Sequence, residues 1–168
     1  VRVHPMLIPE RHPLASVNDS FNAVFVHGDA VDDAMFYGRG AGELPTASAV
    51  VGDIFDIARN LQYECCGRIS CTCYKQLPIK AMDVICSKYF LRMLVENEPG
   101  VLAAVTAVFG DRKVSIEQII QKKKIGELAE IVVITEKVKE RHVKDSLKAF
   151  EEMTAVKKVS SVIRVYGE

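Results

Sequence analysis

One stretch of the sequence, from Tyr37 to Asn60 (YGRGAGELPTASAVVGDIFDIARN), constrains the fold more than any other. Gly38, Gly40 and Gly42 place residues without a Cβ atom at alternate positions of a short loop. Such residues adopt positive φ at little steric cost and let another group approach the backbone closely. The stretch is therefore predicted to begin as a tight loop that another group can approach.

The residues after this loop predict a helix with one buried face. Pro45 has the φ of a first helical turn, and Thr46 and Ser48 can cap the free N–H groups there. The apolar residues that recur at helical spacing are Ala47, Val50, Val51, Ile54, Ile57, Ala58 and Leu61. A helix N-terminus aimed at a glycine-rich loop offers N–H donors and partial positive charge. On spacing alone, Gly-x-Gly-x-Gly favours a plain tight turn before a core helix, because it is not the G-x-G-x-x-G of a dinucleotide-binding turn.

Five segments in the first third of the chain form a more specific combination. They read VHP at 3–5, LIP at 7–9, HPLA at 12–15, FNAV at 21–24 and GRGAGELPTASAVVGD at 38–53. Together they resemble the carboxy-terminal part of the catalytic region of bacterial homoserine dehydrogenase. The resemblance is specific, because few other families carry GAG-x-x-PTASAVV-x-D.

Length and charge limit the other classes of function. A chain of 168 residues suffices for one generous domain or two small ones. The formal net charge is zero, so neither a nucleic acid nor a membrane surface is expected as a partner. No apolar run has spanning length, and the start at Val1 lacks both an initiator Met and a signal peptide. We therefore expect a piece of a longer cytoplasmic protein.

The cysteines argue for a reducing compartment and against a metal site. The chain has five, and Cys65, Cys66, Cys71 and Cys73 lie close together in sequence. An odd number without secretory signals favours the cytoplasm over a disulfide scaffold. The C-C-x₄-C-x-C spacing does not supply the two ligand pairs of a structural zinc site. We expect free thiols in a linker and no bound metal.

The first 63 residues are predicted to contain three strands before the helix. Val1 to Ile8 is rich in β-branched residues and stops at Pro9, which indicates a strand. Asn22 to His27 and Asp33 to Tyr37 flank a turn at Gly28-Asp29, which indicates a β-hairpin. The histidines in this part are interpreted as structural, because no nucleophile or second base accompanies them. Residues 64–87 have no regular period and are expected to connect two domains, with a short helix or strand at Ile79 to Ile85.

From Lys88 onward the pattern predicts a βαββαβ unit. Asn97 is expected to cap the first helix, which ends at Gly110-Asp111. The expected strands are Lys88 to Glu96, Val114 to Lys122, Leu128 to Thr135 and Val156 to Tyr166, and the second helix carries Val143, Leu147, Phe150 and Met153. This order is the ferredoxin-like split unit, with one antiparallel sheet and both helices on one face. The whole chain is thus predicted to be α+β.

The turn and helix after the first of these strands narrow the choice within that fold. The residues concerned are Pro99-Gly100-Val101-Leu102, Val114-Ser115-Ile116 and Gln118. They resemble an ACT domain, a small-molecule-sensing module of amino-acid metabolism. Homoserine dehydrogenases commonly carry such a domain at this position. The resemblance thus implies a segment of the catalytic domain over 1–63, a connector over 64–87 and an ACT domain over 88–168.

The first resemblance implies an NAD(P)-dependent oxidoreductase that interconverts homoserine and aspartate semialdehyde, on the path to threonine and methionine. In that family the dinucleotide domain and the catalytic lysine precede the segment that begins at Val1, so no catalytic residue is assigned in this chain. The last glycine of the G-x-G-A-G loop contacts the cofactor in the family, and here that residue is Gly42. No cofactor is expected to be bound to this chain alone.

The second resemblance implies an amino-acid effector, threonine first. The expected site is the loop that contains Asn97, Pro99, Gly100, Val101 and Leu102. Relatives often have Asp where this chain has Asn97, and an amide keeps an acceptor oxygen but loses the charge. A second wall of this site is expected from Ser115, Ile116 or Gln118 of a partner chain. We therefore expect the protein to be a homodimer or a larger oligomer. The alternative is a stand-alone amino-acid-binding or dimerisation module without catalysis.

Overall fold

The computed structural model describes residues 2–65 and 75–167. The cluster members Cys66, Cys71 and Cys73 lie outside the described residues. The chain forms two compact units, one of Val1–Ile8 with Pro78–Glu168 and one of Pro9–Leu77. The helices and strands are β1 (Met6–Leu7), β2 (Phe21–Gly28), β3 (Asp32–Arg39), α1 (Glu43–Gln62), β4 (Cys86–Glu96), α2 (Val101–Asp111), β5 (Ile116–Ile125), β6 (Leu128–Thr135), β7 (Val138–Lys139), α3 (Glu140–Glu152) and β8 (Val156–Val165). Short 3₁₀ turns lie at Pro13–Ser16 and Met82–Val84.

The unit of Pro9–Leu77 consists of a hairpin and a helix. Strands β2 and β3 pair antiparallel from Phe21 opposite Arg39 to Gly28 opposite Asp32, which confirms the predicted hairpin. The Phe21 and Tyr37 rings stack across it with centroids 4.8 Å apart. Cross-strand aromatic pairs of this kind stabilise an antiparallel ribbon.

Helix α1 forms where the periodicity predicts it, but the prediction of a buried face is wrong within this chain. No residue of α1 is buried. Leu44 is 81% exposed, and Ile54, Phe55 and Ile57 are 58–60% exposed. The described residues of Pro9–Leu77 therefore leave the apolar stripe of α1 uncovered.

The other unit has the predicted βαββαβ order. Strand β4 lies between β8 and β6, and β5 forms one edge, so the sheet order is β8-β4-β6-β5 with antiparallel pairing throughout. The short strand β7 pairs with the start of β4. Between Val1 and Ile8 the predicted strand shrinks to Met6–Leu7, which pairs in parallel with Arg164 and Val165 of β8. Only this pair finds a partner strand, so only it becomes a strand.

One hydrophobic core holds this unit together, between the sheet and the two helices. Alternate residues of β4 point into it, which explains the unbroken alternation of buried and less buried positions along that strand. The core residues are Tyr89, Leu91, Met93, Val95, Val105, Phe109, Val114, Ala129, Ile131, Val133, Val138, Val143 and Phe150. Alternation along the strands predicts that Ile119 lies with Phe90 and Leu94 on the sheet face away from the helices. This prediction is wrong for Ile119, which packs against the core. It lies opposite Val133, and residues paired across antiparallel strands share a face.

Candidate functional site

The glycine-rich loop leaves the hairpin at the end of β3 and leads directly into α1. The Gly40 N–H donates to the Ser20 carbonyl at 3.0 Å, which closes the loop onto the start of the hairpin. A Cβ atom on Gly40 would lie 1.5 Å from Asn22 Nδ2. The Asn22 side chain thus occupies the space that a side chain at position 40 would need, and one of the two would have to move.

Gly42 is the residue at which the loop becomes helix. Its φ of 127° and ψ of 146° lie in a region that is essentially confined to glycine. It serves as the N-cap of α1, and its carbonyl accepts from the Thr46 N–H at 3.1 Å. The prediction that Thr46 and Ser48 cap the helix is wrong, because the cap is Gly42 and no side chain bonds there. Both residues lie inside the first turns instead, since the helix begins two residues before Pro45.

A shallow, mostly apolar depression lies beside this helix N-terminus. Its lining combines the loop backbone with the first two turns of α1: Gly40, Ala41, Gly42, Glu43, Thr46, Ala47, Val50 and Val51. The absence of a side chain at Gly42 leaves backbone exposed at one end of the depression, and apolar side chains form the rest. Such a surface suits a flat, weakly polar ring laid against the backbone.

The loop between β4 and α2 has a different geometry from the one predicted. Gly100, and not Asn97, is the N-cap of α2, with φ 89° in the left-handed region. A glycine adopts that conformation at little cost, whereas the Asn97 cap would require the helix to begin three residues earlier. The Val101 N–H donates to the Glu98 carbonyl at 3.3 Å, and the Ala104 N–H to the Gly100 carbonyl at 2.9 Å. A Cβ atom on Gly100 would meet open space.

Asn97 instead ties this loop to the sheet. Its N–H donates to the Glu127 carbonyl at 3.3 Å, and its Oδ1 accepts from Gln121 Nε2 at 3.2 Å. These residues form part of a small cleft lined by Val95, Glu96, Asn97, Glu98, Val101, Leu102, Gln121, Ala129 and Ile131. Sequence reasoning missed Gln121, because only the pairing of β5 with β6 brings the middle of β5 within reach of the loop that follows β4.

The other predicted effector residues lie away from this cleft within one chain. Ile116 pairs with Thr135 and Gln118 with Ile134, whereas the cleft is beside Leu128 at the opposite end of β6. Ser115 precedes β5 at that same far end, and its carbonyl accepts from the Glu136 N–H at 2.9 Å. One chain therefore brings together Asn97, Val101, Leu102 and Gln121, but not Ser115, Ile116 or Gln118.

A group of charged and polar side chains around the buried Glu140, the Glu140 cluster, lies at the other end of β4. It comprises Arg2, Tyr89, Glu140, Lys144 and Arg164. Glu140 is 7% exposed, and its Oε2 accepts from Arg164 Nη2 at 2.7 Å and from the Tyr89 hydroxyl at 3.3 Å. Lys144 Nζ lies 3.8 Å from Glu140 Oε1, and Arg2 Nη1 lies 3.9 Å from Oε2.

The charges of this cluster shift its proton affinities. Burial opposes the charge on Glu140, but the Arg164 guanidinium outweighs burial and holds the pKa of the carboxyl below its ordinary value. Burial, reinforced by the Glu140 carboxylate, raises the pKa of the Tyr89 phenol. At neutral pH the cluster therefore holds an ionised Glu140 and a neutral Tyr89.

Among residues 2–65 and 75–167, no group of three or more His, Cys, Asp and Glu side chains is arranged to hold a metal ion. No helix in those ranges is long and apolar enough to cross a membrane.

Comparison with known families divides the chain in two. Residues 1–55 match the family model of homoserine dehydrogenase, and residues 89–154 match that of the ACT domain. The glycine-rich loop and most of α1 thus fall in the first match, and the Asn97 cleft and the Glu140 side chain fall in the second.

Whole relatives and a solved structure match nearly the full length of the chain. Homoserine dehydrogenase of Neisseria gonorrhoeae is 42% identical over 98% of this chain and 39% of its own length. That of Mycobacterium tuberculosis is 43% identical over 99% of this chain and 38% of its own. The crystal structure of the Thiobacillus denitrificans enzyme superposes with a TM-score of 0.85 at 36% identity, over 98% of this chain and 38% of that one. The chain therefore spans about two fifths of the length of these relatives.

Proposed function

We propose that this chain, which corresponds to the end of the catalytic region and the ACT domain of a homoserine dehydrogenase, completes the cofactor site of the parent enzyme and senses an amino acid. The parent interconverts homoserine and aspartate semialdehyde with NAD(P) in the cytoplasm, on the path to threonine and methionine. The observation that carries this proposal is the positive-φ glycine N-cap at Gly42, beside an open apolar depression, within a match to that family. The domains are taken as 1–63, the connector 64–87 and 88–168, with support from the matches to 1–55 and 89–154.

Gly42 is proposed to contact the nicotinamide cofactor through its backbone. An added Cβ would meet Pro45 Cδ at 3.3 Å, and the φ of 127° is strained for any other residue. In the full-length enzyme Gly42→Ala should therefore weaken NADPH binding roughly tenfold or more, because relief of a backbone strain of about 1–3 kcal/mol would move the peptide that contacts the cofactor. Fluorescence titration of NADPH measures this directly.

The matched control is Gly38→Ala, in the same loop. A Cβ on Gly38 meets nothing within 4 Å, so this variant should bind NADPH as the wild type does. If both variants bind alike, Gly42 makes the turn and nothing more. If Gly42→Ala loses binding together with its native melt, the loop is structural.

This chain alone is proposed to have no dehydrogenase activity. It spans 38–39% of the relatives' length, and the family's catalytic lysine and dinucleotide domain precede the matching segment. Purified chain should not oxidise NADPH when aspartate semialdehyde is added. Turnover above the rate without protein would contradict the assignment.

The ACT domain is proposed to bind threonine at the loop of Asn97, Pro99, Gly100, Val101 and Leu102. The start of α2 supplies partial positive charge for an α-carboxylate, and the open space at Gly100 allows the ligand to approach. Since the Val101 N–H already bonds Glu98, the amides of Gly100 and Leu102 are the proposed donors. Ser115, Ile116 or Gln118 of a partner chain would supply the second wall.

Thermal melts in the presence of threonine, isoleucine, methionine and lysine test this site. A ligand at about 100 times its Kd adds roughly 2.7 kcal/mol to the stability of the folded state. Gly100→Val should abolish the threonine shift, and a melt of the variant without ligand separates loop strain from ligand loss. A shift that survives in Gly100→Val would place the site elsewhere.

The second candidate is a dimerisation module without an effector. The sheet face away from the helices carries half-buried Phe90 and Leu94 and exposed Ile120 and Val162, an apolar surface that suits a second copy. Both candidates predict a dimer or larger species in sedimentation at micromolar concentration. Only the module without an effector predicts that no amino acid changes the melt.

A further inference from the structure

The first residues of the chain belong structurally to the unit that carries the ACT domain. Residues 1–55 match homoserine dehydrogenase, yet Val1–Ile8 form one compact unit with Pro78–Glu168. Strand β1 extends the sheet in parallel at the end of β8, and the Leu7 carbonyl accepts from the Tyr166 N–H at 2.7 Å. At Pro9 the chain passes directly into the unit of the glycine-rich loop.

Arg2 adds a side-chain attachment to this pairing. Its Nη2 donates to Ser87 Oγ at 3.3 Å, and its Nη1 faces Glu140 Oε2 at 3.9 Å. Its side chain is 29% exposed, and that of Glu140 10%. Partial exclusion of water strengthens such a contact relative to an ion pair on the open surface.

Glu140 connects this attachment to three elements of the sheet and helices. It begins α3, where a carboxylate interacts favourably with the helix dipole, and its N–H donates to the Ile85 carbonyl at 2.9 Å. The same carboxylate binds Tyr89 of β4 and Arg164 of β8. One side chain thus fixes the relative positions of β4, β8, α3 and the segment that carries Arg2.

Strand β4 extends from this cluster to the proposed effector loop. Tyr89 lies near its start, and Glu96 at its end is followed by Asn97 of the cleft. The intervening Leu91, Met93 and Val95 are at most 1% exposed, so the strand is closely packed along its length. A closely packed strand transmits a displacement at one end to the other more readily than a loosely packed one.

We propose that the Glu140 cluster couples the ACT domain to the unit of Pro9–Leu77, because the cluster fixes the segment of Arg2 and β1 that precedes that unit. Glu140 is the positioning residue of this cluster. The proposal rests on the effector function proposed above. An effector that shifts the Asn97 end of β4 alters the contact between Glu140 and Arg2, and through Arg2 the position of β1. The unit of Pro9–Leu77 is then affected through the peptide that follows Ile8.

The test uses the full-length enzyme with two variants. Glu140→Gln removes the charge that holds Arg2 and Arg164, and Arg2→Met removes only the attachment to the first segment. Both should keep uninhibited activity and the thermal shift with threonine, yet require at least about fivefold more threonine for half inhibition, the lower range of allosteric couplings. The control is Glu152→Gln, an exposed glutamate at the end of the same helix, which should be inhibited like the wild type.

Hydrogen exchange gives a readout that needs no effector. Arg2→Met should speed exchange of the Tyr166 amide, which bonds Leu7, and leave the amides of β4 protected. If Arg2→Met changes neither the threonine concentration for half inhibition nor the exchange rate of the Tyr166 amide, the proposed role of the Glu140 cluster is wrong. If wild type itself shows no thermal shift and no inhibition but the exchange changes as expected, the effector proposal fails while the attachment of the first segment stands.

Discussion

At the scale of single residues, both candidate sites depend on glycines whose neighbours or backbone angles exclude a side chain. Gly40 is fixed by Asn22, and Gly42 and Gly100 are fixed by positive φ. Two sequence patterns located all three, the glycine-rich loop for Gly40 and Gly42 and the Pro-Gly turn before the next helix for Gly100. The sequence could not show why each position excludes a side chain, since the contact of Gly40 with Asn22 depends on the closure of the hairpin.

The contact of Gly40 with Asn22 gives a prediction on stability. Gly40→Ala should destabilise this chain by about 1–3 kcal/mol, the usual cost of forcing an extra methyl group into an occupied position. The double variant Asn22→Ala, Gly40→Ala should recover part of that loss, because the amide that lies 1.5 Å from the added Cβ is gone. Urea denaturation of the four proteins of this cycle measures the coupling, and additive losses would contradict the contact.

The lowered pKa of Glu140 predicts how stability depends on pH. A carboxyl whose pKa is lower in the folded state adds stability above its unfolded pKa, about 4.3, and loses it as the pH falls through the folded value. Wild type should therefore lose more free energy of unfolding between pH 5 and pH 3 than Glu140→Gln does. Denaturant titrations at several pH values measure this, and parallel curves for the two proteins would refute it.

At the scale of elements, periodicity predicted the existence of every long strand and helix, but not what covers them. The alternation along β4 and the stripes of α2 and α3 match surfaces buried inside this chain. The stripe of α1 is equally regular, but no described residue buries it. Its period therefore marks an apolar surface whose packing partner the described chain does not supply. Helix starts were less predictable: Asn97 has the better cap propensity, but the left-handed Gly100 ends the preceding turn.

The exposure of the α1 stripe predicts that a substitution there costs little stability, whereas one in the buried core costs much more. Ile54→Gln should change the free energy of unfolding of this chain by less than about 0.5 kcal/mol, because the side chain is 59% exposed. Phe150→Ala, in the fully buried core of the other unit, should cost about 3–5 kcal/mol. Chemical denaturation compares the two.

The same Ile54→Gln change should cost several-fold more in the longer parent enzyme proposed above. There the additional chain, about three fifths of each relative's length, is expected to cover the stripe. An equally small effect in both proteins would show that α1 stays exposed.

At the scale of the whole molecule, burial is very unevenly distributed. Every buried residue that the structure describes lies at Ser87 or beyond, and none lies within the described part of Pro9–Leu77. The sequence alone could not predict this division, because nearly half of all residues are apolar and the first third is as periodic as the rest. Periodicity reports which faces are apolar, whereas burial depends on which neighbours are present.

This difference predicts that the two units exchange amide hydrogens differently in this chain. Amides of β4 and β6, in the closed core, should open only with global unfolding, while those of β2, β3 and α1 should exchange through local opening. Hydrogen exchange with peptide-level resolution separates the two classes. Uniform protection over both units would contradict the prediction and imply that another copy covers α1.

The pairing of β1 with β8 has a consequence for the order of events in biosynthesis. The residues that bond Met6 and Leu7 are Arg164 and Val165, in the strand that is synthesised after every other strand of the sheet. A ribosome releases the chain from its amino end, so β1 must wait until nearly all of the sequence has left the exit tunnel before its partner exists. Closing so long a loop also slows pairing, because its entropy is lost before any contact compensates. We therefore expect the attachment of β1 to be the last step of folding.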